Sequence, residues 1–153
     1  MKEPLSRAGI RELVQEILVQ ESRGGFSRKT TAGGLMYLAQ YDATAVAVSL
    51  YDETGEDIIG MMDARQYSMR RLRPDAGCDQ DIVRLGGGPD STIFGVYDSR
   101  IADPSNRGKG YGKLMYEICI YEIFSRHGGF FFVPMSCTIG TTTGDAMRVW
   151  DSL

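Results

Sequence analysis

Three glycines at alternate positions, Gly108, Gly110 and Gly112, follow Arg107 and enclose Lys109. They stand between an apolar run, residues 92–102, and a segment with helical periodicity, residues 110–127. A turn of this composition leaves backbone N–H groups uncovered at a helix N-terminus. No Cβ hinders close approach, and the helix dipole is positive there. This is chemistry for holding a phosphate.

Two common phosphate motifs fail on single positions. A Walker A loop needs a hydroxyl after its Gly-Lys, but Gly112-Lys113 is followed by Leu114, and Arg107 stands where the first glycine belongs. A dinucleotide fingerprint needs Gly-x-Gly-x-x-Gly, and the gap after Gly110 is one residue short. What fits is Arg107-Gly108-Lys109-Gly110-Tyr111-Gly112, preceded by Pro104.

Other candidate groups are sparse. The three cysteines, Cys78, Cys119 and Cys137, are far apart, and His127 is the only histidine, so no zinc site is expected. The odd, scattered cysteines predict reduced thiols in an intracellular setting. His127 precedes Gly128-Gly129 and reads as a cation at a helix C-terminus. Asp98 lies on the apolar run before the glycines, and Ser136 lies in the loop after the next one. A net charge of −3 over 153 residues argues against a general nucleic-acid binder. No apolar run reaches the length of a membrane span, and no signal-peptide core follows Met1.

The elements that must position these groups follow from periodicity. Residues 6–21 read as an amphipathic helix with Ser6 as its N-cap. Residues 22–34 read as a glycine-rich loop. Residues 35–40 and 44–51 form a hairpin about Tyr41-Asp42-Ala43, and after the turn Asp52–Gly55 a third strand spans Asp57–Met62. Residues 63–80, rich in arginine, read as a solvated helix or loop, and Ile82–Leu85 as a short strand. Residues 92–102 read as a central strand with both faces covered. The helix to His127 presents Tyr111, Leu114, Met115, Ile118, Tyr121 and Phe124 as its apolar face, with Lys113, Glu117 and Glu122 polar. Phe130–Val133 is a buried strand, so residues 92–133 form a right-handed βαβ unit. Thr142 and Asp145 have capping-box spacing before a last helix.

Taken together, Pro104 and Arg107-Gly108-Lys109-Gly110-Tyr111-Gly112 resemble the Pro-x-x-Arg-Gly-x-Gly-x-Gly turn of the GNAT superfamily of acyl-CoA-dependent N-acetyltransferases. Ala146-x-x-Val149-Trp150 is similar to the family's late Ala-x-x-Leu-Tyr. The resemblance covers residues 92–153; earlier residues match only in the general order of elements. It implies a single domain over residues 1–153, of α+β class. Its core would be a mixed, mostly antiparallel sheet flanked by helices, without the usual first strand and last strand pair. It also implies acetyl-CoA as acyl donor and no metal. Residues 107–112 would hold the pyrophosphate, and backbone groups of Ile101 and Ala102 the pantetheine arm, with Pro134, Ser136 and Cys137 across the gap. The expected reaction is direct acetyl transfer to an amine of a small molecule or protein.

Trp150 departs from the family, because an indole N–H is no useful acid where a tyrosine is expected to protonate the thiolate. Ser136, Cys137, Tyr97 and Tyr111 are the alternative donors, and Asp98 the candidate base. The departure leaves a second reading open. That reading is a catalytically inactive GNAT-like binding or structural protein, of phage type, that assembles with copies of itself or other subunits. The expected location is cytoplasmic, or a virion under the second reading. No membrane or nucleic-acid partner is expected.

Overall fold

The computed structural model describes residues 26–140 and 144–153. The helix expected over 6–21, its cap Ser6 and the capping role of Thr142 fall outside these residues. One mixed sheet holds β1 (Phe26–Thr30), β2 (Met36–Tyr41), β3 (Ala45–Tyr51), β4 (Ile58–Tyr67), β5 (Ile93–Ile101) and β6 (Phe131–Val133), in chain order. Neighbours pair antiparallel except β5 and β6, which are parallel. Three helices accompany the sheet: α1 (Cys78–Arg84), α2 (Tyr111–His127) and α3 (Gly144–Ser152). The architecture is α+β, and the expected βαβ unit is β5–α2–β6.

The early hairpins follow from local turn chemistry. Asp42 accepts the Thr44 N–H at 2.8 Å, which closes β2 onto β3. Asp52 Oδ1 accepts from the Thr54 hydroxyl at 2.6 Å and the Glu56 N–H at 3.2 Å, which closes β3 onto β4. Several expectations need correction. The loop expected over 22–34 contains strand β1 at 26–30, which pairs with β2. The third strand runs on to Tyr67, because Ala64 is buried while Asp63 and Arg65 point to the more open face. The rest of the 63–80 stretch makes two short 3-10 turns, Met69–Arg71 and Pro74–Ala76, and then the start of α1 at Cys78. Ile82–Leu85 is no strand: α1 ends there. Asp79 and Asp81 favour its N-terminal turn, and it buries only Ile82 while Val83 and Leu85 face water. Nor is β5 central, since it lies one strand from the sheet's end.

Helix α2 packs on one face of the sheet. By register, Tyr37 and Ala39 lie beside Leu50 and Val48, these beside Gly60 and Met62, and Val46 beside Ala64. Phe94 and Val96 extend the layer, and Met115, Tyr116, Ile118, Cys119 and Ile123 close it from α2. On the opposite face, residues 68–87 form a smaller cluster. Leu72 and Ile82 cover Ile93, Val133 and Cys137. Two covered faces explain why Ile93 to Val96 are all buried.

The rotation of α2 differs from expectation. Tyr121 and Phe124 are 56 % and 59 % exposed, while Glu122, expected to be solvated, is 1 % exposed. The cysteines differ too: Cys78 and Cys137 form a disulfide, and only Cys119 is a free thiol, buried. Neither pairing nor contact is visible in the spacing alone.

Gly60 sets how closely α2 approaches. A Cβ there would stand 2.8 Å from both Met115 Sδ and the Arg100 carbonyl oxygen. The sulfur can move but the carbonyl cannot. Gly60→Ala should therefore lower stability by about 1–3 kcal/mol, an overpacking cost, seen as a lower urea midpoint with an unchanged slope.

Candidate functional site

The glycine stretch is built in two steps. Asp103 opens a 3-10 turn, Pro104–Asn106, by accepting the Ser105 N–H at 2.9 Å. That bond, aided by the Ser105 side chain, holds the Asp103 carboxyl below the usual carboxylate range. The turn closes with Arg107 N–H on the Pro104 carbonyl at 3.1 Å. Gly108 and Gly110 then take φ of +76° and +83°, which disfavours any residue with a Cβ. Gly110 caps α2, whose first internal bond runs from Leu114 N–H to the Gly110 carbonyl at 3.1 Å. The N–H groups of Gly110, Tyr111, Gly112 and Lys113 precede that bond and meet no acceptor among the described residues. Arg107 and Lys109 are exposed beside them. Gly112 has a different role. A Cβ there would touch Val149 of α3 at 3.5 Å, so it permits helix contact.

The strand leading into this turn is half unzipped. β5 has nine residues but pairs with β6 only at Ile93, Phe94 and Gly95. Ala102 donates its N–H to the Ile59 carbonyl at 2.8 Å. By alternation, Arg100 and Ala102 serve β4, while the backbone groups of Ser99 and Ile101 face the side that β6 has left. Of the pair Ile101 and Ala102, only Ile101 offers its N–H to that gap. A register break opposite Asp63 and Ala64 leaves Tyr97 as an extra residue in β5, a bulge at the point where the strands part.

The remaining candidates scatter around this split. Asp98 lies on the sheet face away from α2, accepts from Arg100 Nε at 3.2 Å and sits across from Asp63. Asp63 pairs with Arg65 at 3.3 Å, and the Arg65 guanidinium stacks 3.3 Å above the Tyr97 ring. Ser136 is half-buried in the 3-10 turn Met135–Cys137 beyond β6. Cys137, in its disulfide, has no thiol to donate. Tyr111 opens α2 and packs against the main core.

Trp150 is an aromatic packing residue. Its ring lies 5.3 Å from Tyr116 and 5.2 Å from Phe132, and its indole nitrogen is buried. The nearby indole works against the rise that burial gives the Tyr116 phenol, although no hydrogen bond joins the two. Burial still raises the Tyr116 pKa, so the phenol keeps its proton at neutral pH. Sequence reasoning passed over Tyr116, although its spacing to Cys119 and Ile123 places it on the buried stripe. Glu122, placed by the same periodicity on the polar face, is buried instead.

Fold and site define an α+β protein with a strand–glycine turn–helix–strand unit and a split between two parallel strands. No protein-family model matches the chain, and no curated protein matches it. Among solved structures, an aminoglycoside acetyltransferase from an uncultured soil metagenomic sample, crystallised with trehalose, is similar over 98 % of this chain and 84 % of its own. The identity is 13 % and the TM-score 0.45, a likeness that fixes neither family nor activity. No helix among the described residues is long and apolar enough to cross a membrane.

Proposed function

We propose that this protein is an acyl-CoA-dependent N-acetyltransferase. One observation carries the reading: β5 frees one edge directly before a turn whose N–H groups are free. A pyrophosphate fits the donors at Gly108–Gly112, with Arg107 and Lys109 supplying charge. An amide-bearing pantetheine arm fits the edge at Ser99 and Ile101, where it would pair as a short strand.

In the reaction, a neutral amine attacks the thioester carbonyl. The C–N bond forms, a backbone N–H on the freed edge steadies the oxyanion, and the C–S bond then breaks. The released thiolate takes a proton. Tyr116 is the phenol beside Trp150, and we assign it that donation in place of the tyrosine that the resemblance expects at position 150. Asp98 is held by Arg100 and would act as base only if that ion pair opened; water can take the amine's proton instead. The acceptor is an amine of a small molecule or protein.

Calorimetry with coenzyme A tests the donor site. Arg107→Glu should abolish binding, and wild-type protein that binds no coenzyme A would end the proposal. Tyr116→Phe separates chemistry from binding. Turnover should fall by about 10²-fold with coenzyme A affinity unchanged, whereas unaltered turnover removes Tyr116 from the mechanism. A second reading, a binding protein without turnover, is favoured by the packing of Trp150 and the disulfide that leaves Cys137 no thiol. It predicts coenzyme A binding but no thiol release with any amine.

A further inference from the structure

Helix α2 carries apolar residues all round its circumference. Met115, Tyr116, Ile118, Cys119 and Ile123 face the sheet, while Tyr121 and Phe124 face water. A rotation of about 150° would bring Leu114, Ile118, Tyr121 and Phe124 inward instead and carry Glu122 outward. Hydrophobic burial alone therefore does little to choose between the two. The polar contacts do choose. Glu122 Oε1 accepts from the Tyr37 hydroxyl at 2.6 Å and from Lys29 Nζ at 3.0 Å, and Oε2 accepts from the Tyr41 hydroxyl. The donors come from β1 and β2, distant in sequence. Arg126, one turn on, stacks 3.6 Å above the Tyr41 ring. Burial works against the charged carboxylate, yet these bonds hold its pKa below the ordinary value.

We infer that Glu122, with Lys29, Tyr37 and Tyr41, is a positioning residue: it selects one rotation of α2 and so aims the glycine turn at the helix's other end. Buried polar groups are best attested in this register-setting use: the other rotation would leave the buried Tyr37 hydroxyl without its acceptor and turn Glu117 inward. The rotation exposes Tyr121 and Phe124 and seals Cys119, whose thiol burial pushes up to about 12. Only the effect on the turn rests on the proposed coenzyme A site.

The first variant of the test leaves the helix sequence untouched. Lys29→Met, Tyr37→Phe and Tyr41→Phe together remove the three donors and strand the carboxylate. Hydroxyl-radical footprinting with peptide mass spectrometry then reads three α2 residues in one sample. In the triple variant, oxidation of Cys119 should rise and that of Tyr121 and Phe124 should fall, each by about tenfold. Plain unfolding would speed all three. Adding Glu122→Leu should restore the wild-type pattern, because leucine buries where the carboxylate lay. A native footprint in the triple variant overturns the inference. So does uniform speeding that Glu122→Leu fails to reverse. Coenzyme A affinity should fall in the triple variant and recover in the quadruple. If wild type binds no coenzyme A, the functional proposal fails while the footprint still decides the rotation.

Discussion

Gly110→Val is expected to eliminate coenzyme A binding in a protein that still folds. At φ +83°, valine must either take a left-handed conformation or unwind the start of α2. A left-handed residue costs about 1–2 kcal/mol without β-branching, and branching adds to it. There is no clash to relieve, because a Cβ at this position meets nothing within 4 Å. The strain is wholly in the backbone, and the cheapest relief is to re-aim the N–H groups that would face the pyrophosphate. Since phosphate binding needs several donors converging at once, affinity should drop by at least about 10²-fold. Gly112→Ala is the control. Gly112 is already helical, and its added methyl would reach Val149 at an ordinary 3.5 Å. It should bind nearly as wild type. Equal binding by wild type and Gly110→Val would show that the turn holds no ligand.

Reduction of the Cys78–Cys137 disulfide should give the largest loss of stability. The bond closes a loop across 59 positions of sequence, for which chain entropy predicts about 4 kcal/mol. It also ties α1 to the turn after β6, where Arg73 donates its N–H to the Cys137 carbonyl at 2.8 Å and its guanidinium to the Gly140 carbonyl at 3.1 Å. Urea unfolding with and without reductant measures the effect, and Cys78→Ser should reproduce it. The oxidised native protein should label no thiol quickly, because Cys119 is sealed under α2. An unchanged midpoint under reductant would mean the loop is held by its packing alone.

Much of the β5–α2–β6 unit is readable in the sequence because its signals are local. Pro104, the alternate glycines and the long periodic segment each constrain their own backbone. The hairpin turns at Asp42 and Asp52 are readable for the same reason. What the residues do not reveal is tertiary in origin. Strand β1 has a polar, basic sequence that becomes a strand by pairing with β2. Ile82 lies in too short an apolar run to separate strand from helix, and the cluster on the far face of β5 decides it. The rotation of α2 is misread because apolar counting places Glu122 outside, whereas three donors on other strands bring it in. In the site, the glycine turn is legible. The unzipping of β5 from β6 is expected only through the resemblance and not from the residues themselves, since it depends on where pairing stops.

Strand β1 ends the sheet among the described residues, and Arg28 and Lys29 occupy its middle. Suppose two such edges met antiparallel. The three centred registers set Arg28 against Arg28, Arg28 against Lys29, or Lys29 against Lys29. Each places cation opposite cation, a cost that cross-strand neighbours feel directly. The edge thus carries its own guard against open-ended stacking of sheets, and Lys29 does so while its ammonium holds the buried carboxylate of Glu122.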